Sequence, residues 1–146
     1  MAAKNNTPIV SKETETDENV FPDTFDGLAA RYPELSGVPA MTPAHEFTPA
    51  QSADFGVLDT LYVSIIPGID EQTDDVQAAL QIARLITVSD EFYAQIAKDK
   101  TAYEQWTRGR NGNVLFNAFT LLTMFYRNEL GKSEASRTPT EPAPSN

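Results

Sequence analysis

The feature that most constrains this chain is the run from Val114 to Leu130, where Leu115, Ala118, Phe119, Leu122, Phe125 and Tyr126 recur at the i, i+3, i+4, i+7 spacing of one helix face. A face that wide has to be covered. At about 1.5 to 3 kcal/mol per large side chain buried, this helix alone supplies on the order of 10 kcal/mol of gross hydrophobic stabilisation before chain entropy is subtracted. Asn113 stands where a cap is wanted and Gly131 where a C-terminal stop is wanted, so the spacing predicts a helix over 114–130.

The remaining segments supply what such a helix packs against. Thr48-Pro49-Ala50-Gln51 has the form of a capping box with Pro at the first helical position, so a helix starts there. Downstream, VLDTLYVSII carries helical spacing but enough β-branched residues that residues 57–66 are either helix or strand, ended in both cases by Pro67-Gly68. Asp74 and Asp75 suit a helix N-terminus, and Val76, Ala79, Leu80, Ala83 and Ile86 form one apolar stripe behind them. Ser89 is a candidate cap for a further short helix with Phe92, Tyr93 and Ile96, and Thr101 with Glu104 forms a second capping box ahead of Tyr103 and Trp106. RGRNGN then breaks the pattern at Asn-Gly.

Upstream, Thr24 to Tyr32 predicts a short helix closed by Pro33, followed by a Pro-rich irregular connector to Phe47. The expected organisation is an all-α domain of four to six helices: an acidic disordered tail over 1–22, a short helix and Pro-rich connector over 23–47, a helical core over 48–132, and a disordered Pro-rich tail over 133–146.

Charge and composition narrow the chemistry. Residues 1–83 carry three bases and fourteen acids, giving −11, and residues 84–146 carry eight bases and seven acids, giving +1, which together make the net charge of −10. An acidic front half repels phosphate backbones, so nucleic acid is not the expected ligand. With no Cys and with His45 as the one histidine, neither a zinc constellation nor a His-based nucleophile pair can be assembled. IDEQTDD lacks the Gly and Glu that a calcium loop requires, having Asp75 and Gln81 there, and Gly131-Lys132-Ser133 lacks the earlier glycine of a phosphate loop. Arg108 and Arg110 flank a turn and read as solvated charges. No apolar stretch reaches the length of a membrane span. The expectation is a cytoplasmic, non-enzymatic protein without metal or cofactor.

Binding is the expected mode of action. On the helical wheel Phe116 and Met124 fall outside the core-facing arc beside Thr120 and Arg127, and Leu121 and Val114 sit at its opposite margin. Such residues either pack against other helices of the chain or meet a partner. Phe116, Leu121, Met124, Tyr126 and Trp106 are the candidate partner-binding residues.

From Phe55 to Ser136 the order of features resembles the shorter product of the tail assembly chaperone genes of actinobacteriophages. The matching parts are DDVQAALQIARLI, EFYAQIAKDKTAYEQW, the aromatic helix NVLFNAFTLLTMFY and the close NELGKSEAS. The resemblance implies a non-catalytic assembly factor that coats the tape-measure protein, helps recruit tail-tube subunits, self-associates along its client, and is absent from the finished virion. It further implies a programmed frameshift, for which Leu130-Gly131-Lys132, just after the last predicted helix, offers codons for a slippery heptamer. The alternative is a structural virion component such as a head-tail connector or tail-completion protein.

Overall fold

The computed structural model describes residues 20–71 and 74–137, and within them the chain is helical throughout its core. Five α-helices are present among the described residues: α1 (Phe25–Arg31), α2 (Pro49–Glu71), α3 (Asp75–Ile96), α4 (Lys100–Thr107) and α5 (Gly112–Arg137). Two 3-10 turns, Pro33–Leu35 and Ala44–Glu46, interrupt the connector between α1 and α2.

Local capping chemistry sets most helix starts. Thr24 accepts from the Gly27 amide to open α1, and Thr48 and Gln51 exchange bonds of 2.9 and 3.1 Å to open α2, the reciprocal pairing of a capping box. Asp74 accepts from Val76 at 2.9 Å at the head of α3. Two caps differ from expectation. Asp99 caps α4 by accepting from Ala102, which places Thr101 inside the first turn, and Asn111 caps α5 by accepting from Asn113 at 2.7 Å. In both cases the acceptor precedes the residue expected to cap and so meets the orphan amides first. The left-handed residue of the RGRNGN loop is Gly109, at φ +75°, while Gly112 already belongs to α5.

Helix lengths are the larger correction. The ambiguous segment 57–66 is helical, and α2 continues through Pro67 to Glu71. Pro67 has no N–H to give to the Val63 carbonyl, but both residues are exposed, so solvent can take that acceptor while Ile69, two residues on, packs against the core. Ser89 caps nothing: α3 runs unbroken from Asp75 to Ile96 with Ser89 fully buried in its middle. Gly131 is no stop, since α5 continues to Arg137; residues 133–137 of the expected tail are helical, and Leu130-Gly131-Lys132 lies inside the helix. The remainder of the two expected tails, 1–19 and 138–146, lies outside the described residues.

α2 and α3 form an antiparallel hairpin, and α5 lies along both. It runs parallel to α3, with Tyr93 stacked on Phe119 at 5.7 Å, and antiparallel to α2, where Arg127 pairs with Asp59. Rings from every layer meet at this seam: Phe55, Phe92, Phe119 and Tyr126 are all buried. Four tyrosine hydroxyls tie the layers together. Tyr62 bonds Ser89 across α2 and α3, Tyr93 bonds Thr123 across α3 and α5, Tyr103 bonds the Asp90 carboxylate across α4 and α3, and Tyr126 donates to the Thr42 carbonyl.

The Pro-rich connector is part of the core. Leu28 and Leu35 are fully buried, and Met41 forms an isolated antiparallel bridge with Ala97. Phe21, from the segment expected to be disordered, packs against Tyr32 at 6.2 Å between centroids. Trp106 Nε1 and the Arg110 guanidinium both donate to the Ser36 carbonyl, and Arg110 also reaches the Glu34 carbonyl. Gly37 turns away at φ +78° beside the Trp106 ring.

Because Pro67 leaves one backbone acceptor of α2 without its intrahelical donor, Pro67→Ala is expected to raise stability by about 1 to 2 kcal/mol, the restored bond outweighing the freer unfolded chain. Urea denaturation measures this; a loss of stability would show that the proline relieves a strain in α2.

Candidate partner-binding surface

The five candidate residues separate into three groups. Trp106 and Tyr126 are buried, at 7% and 1% exposure, and their polar atoms are spent on the Ser36 and Thr42 carbonyls, so neither is presented to a partner. Phe116 and Leu121 are half-buried and pack against the core. Met124 alone of the five is exposed, at 37%. The connector accounts for much of this difference: its 3-10 turns pack on α5, and its Phe47 ring lies over Tyr126 at 5.4 Å, covering a flank that the sequence reading left open.

Met124 lies beside Thr120 and Arg127 at one edge of α5, facing α2. Here Tyr62, Val63, Ile66 and Pro67 of α2 form the other wall of a groove of about 260 Å³. Arg127 stands at the end of this groove, with Nε 2.7 Å and one terminal nitrogen 2.6 Å from Asp59 Oδ1. Both charges keep some solvent exposure, so the pair contributes little stability but fixes the guanidinium over the groove.

A second apolar surface was read in the sequence as core. Val76, Ala79, Leu80 and Ala83 are all exposed, Val76 by 64% and Leu80 by 59%. At 100° per residue, Val76, Leu80 and Ala83 lie across the helix from Leu85, Ser89, Phe92 and Ile96, the row that α3 turns inward. Ile86, the last member of that stripe, is half-buried and packs against the core, so the stripe turns inward only at its C-terminal end and its first four members face outward; the inner row was disguised by Ser89, whose hydroxyl is matched by Tyr62. Of the large side chains, Val57, Val63, Val76 and Leu80 are more than half exposed within the helical hairpin. A stripe at helical spacing was the available signal, and nothing local distinguishes an inward stripe from an outward one.

Four buried tyrosines have displaced ionisation. Burial raises the Tyr62 phenol and raises Tyr93 strongly; burial followed by the Asp90 hydrogen bond raises Tyr103, and burial followed by the Glu129 charge raises Tyr126. These phenols are held neutral and act as hydrogen-bonding struts. Among the described residues, no group of three or more His, Asp or Glu could hold a metal ion, and no helix is long and apolar enough to cross a membrane. Arg110 is engaged with the connector and stacked over Trp106 at 5.0 Å, which removes it as an anion receptor. His45 is exposed beside Glu46.

No family model, curated protein or solved structure matches this chain.

The raised phenols give stability a definite pH dependence. A folded-state value above the unfolded value of 10.0 means that the contribution is complete below pH 10 and is lost as pH rises beyond it. Alkaline titration followed by phenolate absorbance is expected to show these four tyrosines ionising only together with unfolding. Reversible ionisation of Tyr93 in a protein of native circular dichroism would contradict its burial.

Proposed function

We propose that the chain is a binding protein that shields an apolar segment of a client, acting as a tail assembly chaperone of a long-tailed phage, with the tape-measure protein and tail-tube subunits as partners in the host cytoplasm. One observation carries the reading: Val63, Val76 and Leu80 are about 60% exposed, and Val63 joins Met124 in a groove on a molecule of net charge −10. Val63 and Met124 adjoin in that groove, and adjoining apolar side chains left open on a protein surface mark a place that is covered at work. Excess acidic charge keeps such a protein dispersed while the apolar surface is free. Met at the groove edge suits a client of varied sequence, because its unbranched, polarisable side chain adapts to different shapes.

Within this reading the roles of the aromatic residues change. Trp106 and Tyr126 hold the connector on the bundle, and contact with the client falls to Val63 and Met124. Phe116 supports α5 from a half-buried position, so Phe116→Ala is expected to cost about 1 to 3 kcal/mol of stability, whereas Met124→Ala costs little.

Co-expression with the tape-measure protein of the same phage tests the proposal. The wild-type chain is expected to raise the soluble yield of tape-measure protein, and Val63→Asp with Met124→Asp is expected to weaken its capture about tenfold or more while circular dichroism stays native. An unchanged soluble yield with the wild-type chain would overturn the assignment.

A further inference from the structure

The groove between α2 and α5 has one polar feature that the fold itself leaves unused. Its lining side chains with polar atoms are engaged from within: the Tyr62 hydroxyl with Ser89, Thr120 with the Phe116 carbonyl, Thr123 with Tyr93 and the Phe119 carbonyl, and Arg127 with Asp59. What is left is backbone. Pro67 stands inside α2 four residues after Val63, so the Val63 carbonyl lacks the N–H that would close its helical bond. Val63 and Pro67 both line the groove and both are exposed. The open acceptor therefore lies where Val63, Ile66 and Met124 present apolar surface.

The surroundings of that acceptor select the donor. Helix carbonyls point toward the C-terminal end, where the backbone dipole is negative, and residues 1–83, which include all of α2, carry a net charge of −11. A cation is favoured there. The guanidinium of Arg127 does not oppose it, because it is paired with Asp59, one turn before Val63, whereas Pro67 lies one turn after. A single carbonyl suits a compact ammonium better than a second guanidinium, whose planar fork is matched by two acceptors. Lysine also has a long methylene stem, which can lie along apolar walls while its head reaches a polar atom.

We propose that the client segment taken by this groove carries a lysine among aliphatic side chains, and that its ammonium donates to the Val63 carbonyl left open by Pro67. The inference rests on the reading of the groove as the client site and adds the chemistry of what enters it. Aliphatic side chains of the client meet Val63, Ile66 and Met124, and the lysine sets their register along the groove. The part of Pro67 in recognition is to withhold an N–H.

Fluorescence anisotropy on the full chain tests this with two labelled probes: a helical peptide of alanine and leucine carrying one central lysine, and the same peptide with norleucine there, which keeps the stem and lacks the donor. The wild-type chain is expected to bind the lysine peptide about tenfold more tightly, in keeping with a hydrogen bond to a charged group. Pro67→Ala and Pro67→Leu return the N–H, and both are expected to bring that ratio to about one while affinity for the norleucine peptide stays within about twofold. A wild-type ratio of about one, a ratio that survives both substitutions, or a loss shared equally by the two peptides overturns the proposal and leaves the groove as the client site. Failure of both peptides to bind, or binding indifferent to Val63→Asp with Met124→Asp, overturns the groove reading itself. A gain in affinity for both peptides when Lys4 and Lys12 are changed to Gln also overturns the proposal, because it assigns the groove to the chain's own N-terminal residues.

Discussion

A buried hydroxyl has to be hydrogen-bonded, and this fold is built around four that are. Each of the buried tyrosines carries its ring into the apolar seam and its oxygen to a partner on another element: Tyr62 to Ser89, Tyr93 to Thr123, Tyr103 to Asp90, and Tyr126 to the Thr42 carbonyl. Apolar packing tolerates small slides of one helix along another, but an orphaned phenol in the interior costs about 1 to 3 kcal/mol, so these bonds fix the register. They also fix the connector, because Tyr126 and Trp106 hold it by its carbonyls. Among the described residues no buried side-chain nitrogen or oxygen lacks a partner.

With the register fixed, the bundle is closed at one end and open at the other. At the closed end, α4, the connector and the lower half of α5 enclose Phe92, Tyr93, Phe119 and Tyr126. At the open end the hairpin runs past the start of α5, and α3 carries apolar residues on its outward side as well as its inward side. A helix apolar on two faces is stable where both are covered. The acidic charge of the chain offsets the resulting tendency to aggregate without covering the surface. That combination is what favours binding as the molecule's work, and it moves the centre of interest from the aromatic residues of α5 to the aliphatic residues of the hairpin.

Features governed by a few neighbouring residues were legible in the sequence. The Thr48–Gln51 capping box, the Asp74 cap and the inward face of α5 through Phe119, Leu122 and Tyr126 all stand where the spacing put them. Features decided by distant residues were not. Ser89 looks like a cap until Tyr62, 27 residues away, supplies its partner, and Pro67-Gly68 looks like an end until the packing of Ile69 continues α2. The candidate surface was read least well. Trp106 and Tyr126 were offered to a partner and are buried under the connector, while the Val76–Leu80 stripe was assigned to the core and faces outward.

By itself the sequence determined the all-α class, most helix starts and the face of α5 that must be buried, because backbone capping and the 3.6-residue period act within a few residues. Only the tertiary structure decided which side of α3 is inside, where α2 and α5 end, and that the proline-rich connector belongs to the core. Those outcomes depend on pairings such as Trp106 with Ser36 and Tyr126 with Thr42, 70 and 84 residues apart, whose energy exists only when the chain is already folded.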